Sequence, residues 1–194
     1  MNVDKQLWLL AGGNGAGKST FYQQFLATTE LPFINADILA RQLDAENSEA
    51  ISYKAARLAE KLRTDLLQSG VSFCFETVFS HPSKIDFLAQ AKSLGYEIIL
   101  VYIHLQTDEL NQARVMQRVK QGGHNVPMDK IISRIPRTMS YVSDALPLVN
   151  RAVFYDNSLH SQPFLSVASL FAGQLQKHVK PLPDWAEKML VNYI

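Results

Sequence analysis

The stretch Gly12-Gly13-Asn14-Gly15-Ala16-Gly17-Lys18-Ser19-Thr20 decides how the rest of this 194-residue chain is arranged. It matches the phosphate-binding loop (P-loop), in which a glycine, four residues and Gly-Lys are followed by Ser or Thr. The glycines allow a tight turn that aims backbone N–H groups at phosphate oxygens. We predict that residues 13–20 bind a nucleotide, with Lys18 on its terminal phosphates and Ser19 as a ligand of Mg²⁺.

The segments on either side of this loop support the prediction. Residues 6–11 have the pattern of a buried strand, and residues 19–27 that of a helix with apolar side chains on one side. A glycine-rich turn between a strand and a helix, without a nucleotide, is the alternative. Because the full pattern with both flanks rarely arises by chance, the nucleotide site is the favoured interpretation.

The composition indicates one compact domain and argues against two classes of partner. Hydrophobic residues make up 47% of the chain, which is enough for a sizeable core. The 19 basic and 18 acidic residues leave a formal charge of +1, so we expect no nucleic-acid partner. The sequence shows neither a signal-peptide pattern nor an apolar run of membrane-spanning length, so we expect a cytoplasmic protein without a membrane partner.

Strand and helix patterns alternate along the chain, which predicts an α/β fold with a mainly parallel central sheet. Together with the loop at 12–20, this is a three-layer fold of the P-loop NTPase or kinase type with a helical basic lid. We predict a single domain over residues 1–194. Within it, we expect the lid at about 107–147 and a C-terminal helical region at about 161–194.

Two predicted strands end in carboxylates at the sheet edge that carries the P-loop. Asp37 closes the second strand, and Glu76-Thr77 closes the third. A kinase needs a group near the acceptor hydroxyl that takes its proton. We therefore predict Asp37 as the general base and assign Glu76 and Thr77 to the acceptor substrate, with assistance to the metal's water as a second role for Glu76. Either carboxylate could instead cap the following helix.

A basic segment follows the fourth predicted strand. Between residues 114 and 137 stand six basic residues and one acid, with Gly122-Gly123 in the middle. If the two predicted helices fold over the nucleotide, Arg118 and Arg134 reach its β- and γ-phosphates, and the closed lid excludes water. We predict these two arginines to be catalytic, together with Lys18 and Asp37. An ordinary solvated helix surface is the alternative.

Two further polar positions have structural interpretations. His124 has no second histidine or cysteine at metal-ligand spacing, so we expect a loop role for it. Asp156-Asn157 follows the last predicted strand and is typical of an Asx turn.

Several of these motifs together resemble the zeta-toxin family over residues 7–158. They are the P-loop, Asn35-Ala36-Asp37, Phe75-Glu76-Thr77, Arg114-Val115, Arg118-Val119, Gly122-Gly123-His124, Val126-Pro127, Arg134 with Arg137, and Asp156-Asn157. The resemblance implies a P-loop kinase whose toxin members phosphorylate the 3′-hydroxyl of UDP-N-acetylglucosamine and so interfere with bacterial wall synthesis. It implies Lys18 on the phosphates, Asp37 as the base and Glu76 at the sugar-nucleotide site. It also implies arginines that stabilise the transferred group, and an antitoxin partner.

The sequence therefore predicts a kinase that uses ATP and Mg²⁺ to phosphorylate a small-molecule acceptor, and two alternatives stay open. One is a regulatory ATPase. Against it, no Leu-Ser-Gly-Gly signature occurs, and the predicted strand at 98–105 ends in Gln106, where a Walker B acid would stand. The other is an ATP-binding interaction module without catalysis, against which Lys18, Asp37 and the arginine segment argue together.

Overall fold

A seven-stranded sheet runs through the computed structural model, which describes residues 5–44, 51–123 and 125–194. The strands are β1 (Gln6–Gly12), β2 (Phe33–Ile34), β3 (Phe73–Thr77), β4 (Glu97–His104), β5 (Arg151–Asp156), β6 (Leu165–Phe171) and β7 (Gln174–Lys177). Their order is β2-β3-β1-β4-β5-β6-β7. Strands β1 to β5 pair in parallel, while β6 and β7 are antiparallel. The predicted α/β class and mainly parallel sheet are confirmed.

Helices alternate with the parallel strands, as the sequence pattern predicted. They are α1 (Lys18–Phe21), α2 (Ala36–Leu43), α3 (Ser52–Gln68), α4 (Ser83–Ser93), α5 (Asp108–Lys120), α6 (Met128–Ala145) and α7 (Asp184–Met189). The first of them continues as a π-helical turn over Tyr22–Leu26 and a 3₁₀ turn over Ala27–Thr29. Among the described residues, no helix combines the length and the apolar character needed to cross a membrane.

The sheet is covered on both faces, which gives the fold three layers. Leu7 and Leu9 of β1 belong to a core cluster with residues of α3, α4, α6 and α7. Leu10, on the opposite face of the same strand, belongs to a second cluster with Phe21 and Phe164. All three leucines of β1 are fully buried, and each such burial stabilises the fold by about 1.5–3 kcal/mol. A central strand that is apolar on both sides therefore leads into the P-loop.

The register of the parallel strands brings their carboxyl ends to one edge of the sheet. Ala11 of β1 is paired with Thr77 of β3, and Gly12 with Ile103 of β4. Further along, His104 is paired with Asp156 at the end of β5. The P-loop and the polar residues at the carboxyl ends of β3 and β5 consequently meet at this edge.

The C-terminal region differs from the prediction of a helical region at about 161–194. Residues 165–177 form the β6–β7 hairpin, which extends the sheet beyond β5. Ala172 and Gly173 have φ values of 49° and 79°, the left-handed conformations that a two-residue hairpin turn requires. This Ala-Gly turn interrupts apolar spacings that otherwise resemble a helix, and only the later stretch at α7 is α-helical. The second strand is also shorter than predicted, because Asn35 already begins the next helix.

Candidate active site

The P-loop turns tightly around the Lys18 side chain. Gly17 has a φ of 102°, and a Cβ atom added there would lie 2.6 Å from the side-chain nitrogen of Asn157, so only glycine fits. The Lys18 Nζ atom donates hydrogen bonds to the carbonyl oxygens of Gly12 and Gly13, each at 3.0 Å. Burial lowers the pKa of this ammonium, and the carboxylates of two nearby residues oppose that shift. The loop therefore presents a buried cation at the end of β1.

Two buried asparagines hold the P-loop from outside. The Asn111 side-chain nitrogen, on α5, donates to the Asn14 carbonyl oxygen at 2.6 Å. The Asn157 side-chain nitrogen donates to the Ala16 carbonyl oxygen at 2.9 Å. Because these two carbonyl groups accept hydrogen bonds from the asparagines, the neighbouring N–H groups of the loop can face a phosphate. Neither role is visible in the sequence, since each pairing joins distant segments and leaves no local signal.

The predicted Asx turn does form at Asp156, whose carboxylate accepts a hydrogen bond from the Ser158 backbone N–H at 2.8 Å. His124, for which a loop role was predicted, lies outside the described residues.

Glu76 lies beside the hydroxyl group predicted to bind the metal. The Ser19 Oγ atom donates to a carboxylate oxygen of Glu76 at 2.6 Å. Burial raises the pKa of Glu76, while Lys18 and the bond from Ser19 act in the opposite direction. The acid next to the P-loop thus lies in β3, the neighbour of β1, and does not follow β4, where a Walker B acid would stand. Gln106, after β4, donates instead to Asp156 at 3.0 Å.

Asp37 is not the cap of the helix in which it lies. Asn35 caps α2, because its side-chain oxygen accepts from the backbone N–H groups of Asp37 at 2.8 Å and Ile38 at 3.2 Å. The Asp37 carboxylate is instead 3.5 Å from a guanidinium nitrogen of Arg118 on α5. Glu76 caps no helix either, since it lies within β3. The structure therefore removes the capping alternative for both acids.

Three arginines of the basic segment lie near the P-loop, whereas a fourth, Arg137, contacts its own helix. Arg134 lies 3.5 Å from the Asn14 side-chain oxygen, and Arg114 donates to the Asn157 carbonyl oxygen at 2.7 Å. Arg118 lies beside Asp37, as described above. By contrast, Arg137 donates to the Ser133 carbonyl oxygen of its own helix at 3.0 Å, as on a solvated helix surface. The predicted pair, Arg118 and Arg134, is thus near the loop, and Arg114 joins it.

Two cavities meet at this edge of the sheet. One, here called the P-loop cavity, has a volume of about 490 Å³ and is lined by P-loop residues, Arg114 and residues between 157 and 164. The other, the Asp37 cavity, has a volume of about 570 Å³ and extends past Asp37 and Thr77 to α3 and α4. Lys18, Glu76 and Arg118 line both cavities. Two molecules bound in these cavities would meet at these three residues, which suits the transfer of a chemical group from one molecule to the other.

The chain is similar to known proteins in sequence. The family model of zeta toxin matches residues 3–155. An uncharacterized protein of Haemophilus influenzae is 32% identical over 134 residues, which are 66% of this chain and 95% of that protein.

Two solved structures have the same fold. A chain of the AvrRxo1-ORF1:-ORF2 complex with ATP has a TM-score of 0.73 and 19% identity, over 91% of this chain and 61% of that one. A chain of the PezAT chromosomal toxin-antitoxin system of Streptococcus pneumoniae has a TM-score of 0.59 and 19% identity, over 85% of this chain and 72% of that one. This chain therefore spans about 61% of the length of the AvrRxo1 chain that it matches.

Proposed function

This chain belongs to the zeta-toxin family, and on that premise we propose that it is a kinase that transfers the terminal phosphoryl group of ATP to a hydroxyl group of a small-molecule acceptor. The observation that carries the proposal is that Lys18, Glu76 and Arg118 line both cavities. ATP in the P-loop cavity would have its terminal phosphate beside these residues and facing the Asp37 cavity. The related fold solved with ATP supports this choice of nucleotide.

In the proposed reaction, the acceptor hydroxyl gives its proton to the Asp37 carboxylate while its oxygen bonds to the γ-phosphorus. The bond from that phosphorus to the β-γ bridging oxygen breaks, and ADP leaves with the bridging oxygen. Lys18, Arg118 and Arg134 provide positive charge for the phosphoryl oxygens throughout this transfer. Asp37 suits its role because it lines the cavity that would hold the acceptor.

The residues beside the P-loop fit Mg²⁺ as the companion of ATP. The Ser19 hydroxyl and the Glu76 carboxylate lie within 2.6 Å of each other, and Mg²⁺ prefers such oxygen ligands together with phosphate oxygens and water. Ser19 would bind the ion directly, and Glu76 would hold one of its waters. When bound, the ion neutralises negative charge on the phosphates.

For the acceptor and the partner we propose the candidates that the family suggests. UDP-N-acetylglucosamine is the first acceptor to test, and a cavity of about 570 Å³ lies within the usual range for small-molecule sites. Glu76 and Thr77, assigned to the acceptor from the sequence, lie in its wall.

PezAT is a toxin-antitoxin system, which supports an antitoxin protein as partner. We propose that residues 1–194 act as one kinase domain, and the need for ATP supports a cytoplasmic location.

The kinase proposal is tested by the dependence of ATP use on the acceptor. Purified protein is incubated with ATP and Mg²⁺, with and without UDP-N-acetylglucosamine, and ADP and new phosphate esters are followed by ³¹P NMR. Release of ADP that requires the acceptor supports a kinase. Equal release without it indicates an ATPase, and binding of ATP without any turnover indicates an interaction module.

Replacement of the lid arginines is expected to affect chemistry more than ATP binding. Arg118→Ala and Arg134→Ala should each lower kcat by about 10²-fold or more, because each removes a positioned charge from the transferred group. The KM for ATP should change only a few-fold. Lys120→Ala, the matched control, removes an exposed cation of the same segment and should stay within about twofold of wild type. Small and equal effects in all three variants would indicate a solvated helix surface.

A further inference from the structure

The Asp37 cavity contains a buried arginine that the proposed reaction does not use. Arg63 comes from α3, lines the cavity and is only 8% exposed. Its guanidinium carbon lies 5.0 Å from the centre of the Phe75 ring and 5.9 Å from that of Phe87. Within the described part of the chain, it has no hydrogen bond and no ion pair. The aromatic rings stabilise the charge, but none of the described residues accepts a hydrogen bond from its N–H donors.

Lys84 is a second cation at this end of the cavity. It lies in the first turn of α4 and lines the same cavity wall as Arg63. Burial is the main cause that lowers the pKa of Lys84, and repulsion by Arg63 adds to it. The exposed acid Glu60 acts in the opposite direction without forming an ion pair with either cation in the described residues. Glu60 lines the same cavity, and so does a further cation of α3, Arg57.

This pair comes from other elements than the cations at the P-loop. Arg63 lies on α3 and Lys84 on α4, whereas Lys18 lies on α1 and Arg118 on α5. The charges that act on Lys84 come from Arg63 and Glu60. Those that act on Lys18 come from Glu76, Asp37 and Arg118. The Asp37 cavity thus has one cationic end at the P-loop, where the phosphoryl group would arrive, and a second at α3 and α4.

We propose that Arg63 and Lys84 bind an anionic group that belongs to the acceptor itself, apart from the phosphoryl group that it receives. This inference rests on the proposed kinase function. An arginine fork binds the oxygens of a phosphate or a carboxylate with two parallel hydrogen bonds, and a lysine adds a point charge. At α3 and α4 the cavity is lined by three cations, Arg57, Arg63 and Lys84, and one acid, Glu60. This net positive charge favours a phosphate group, which carries more negative charge than a carboxylate.

The consequence is a rule of acceptor selection. A compound with an anionic group at one end and a hydroxyl at the other can be held by Arg63 and Lys84 while its hydroxyl lies at Asp37. Neutral sugars and nucleosides have no anionic group for Arg63 and Lys84 and so lack the first of these contacts. They should therefore bind much more weakly than their phosphorylated counterparts.

Binding of inorganic phosphate tests the site without any turnover. The protein is first saturated with Mg²⁺ and a non-hydrolysable ATP analogue, so that the P-loop is filled, and phosphate is then titrated by calorimetry. Arg63→Gln and Lys84→Met should each weaken phosphate binding by at least about tenfold. Arg63→Lys should be intermediate, because it keeps a charge and loses the fork. The matched control, Lys61→Gln, removes an exposed cation of the same helix and should bind phosphate like wild type.

The other outcomes are also decisive. No phosphate binding to wild type, or unchanged affinity in Arg63→Gln, would overturn the proposal. If Arg63 only packs against the two rings, its replacement lowers the melting temperature and leaves phosphate affinity as it was. A titration with acetate at the same ionic strength distinguishes the two anions, since equal affinity for acetate assigns a carboxylate. The first step, binding of the ATP analogue, reports separately on the proposed kinase function.

Discussion

Lys18→Ala is expected to lower kcat/KM by about 10³-fold or more, which corresponds to about 4 kcal/mol of lost transition-state stabilisation. Lys18 is 7% exposed, and its ammonium is held by the carbonyl oxygens of Gly12 and Gly13. A cation fixed in such a water-poor site acts on a phosphate more strongly than one in solvent. ATP turnover and the KM for ATP, measured on the same preparation, give the size of the effect.

The stability of this variant separates catalysis from folding. Because a buried cation is costly to desolvate, Lys18→Ala should keep or raise the melting temperature while activity falls. Circular dichroism checks that the fold is intact. Near wild-type turnover in a folded Lys18→Ala protein would contradict the assignment of residues 12–20 as the phosphate site.

Asp37→Asn is expected to lower acceptor phosphorylation by about 10²–10⁴-fold while the affinity for ATP and Mg²⁺ changes only a few-fold. The substitution keeps the shape of the side chain and removes its capacity to take a proton. Asn35, which caps α2, is untouched, so the helix should remain stable. Acceptor-dependent release of ADP and the melting temperature are measured on one preparation. If the wild type is toxic in bacteria, the variant should not be.

Asp86→Asn is the matched control, since it removes an exposed acid from the first turn of α4. It should leave both activity and stability at the wild-type level. Full acceptor phosphorylation by Asp37→Asn, with its stability retained, would rule out Asp37 as the general base.

The parts of the site that the sequence predicts are those carried by short local motifs. The P-loop needs glycines and Gly-Lys-Ser in one continuous stretch, so its identity is visible without a structure. Asp37 and Glu76 were found because each stands where a predicted strand ends, and parallel strands place such ends together. The cap of α2 is also formed by neighbouring residues. Even so, only the hydrogen bonds in the structure show that Asn35, and not Asp37, is the cap.

The remaining parts depend on contacts between distant segments. Ser19 and Glu76 are 57 positions apart, and their contact follows from β3 lying next to β1, an order that alternation of strands and helices does not specify. The contact of Asn111 with the P-loop spans 97 positions. Arg63 resembles any charged residue of an amphipathic helix until its packing against Phe75 is seen. The sequence does not reveal the β6–β7 hairpin because its apolar residues Leu170 and Phe171 stand five and four positions before Leu175, a spacing close to that of a helix.

The three charged residues that the two cavities share also bear on stereochemistry. Lys18, Glu76 and Arg118 line both cavities, so ATP and the acceptor would face each other across one phosphorus atom. A single in-line displacement inverts the configuration at that atom, whereas a covalent phosphoenzyme would require two displacements and return the original configuration. With a γ-phosphate made chiral by oxygen isotopes, we therefore expect the phosphorylated acceptor to have the inverted configuration.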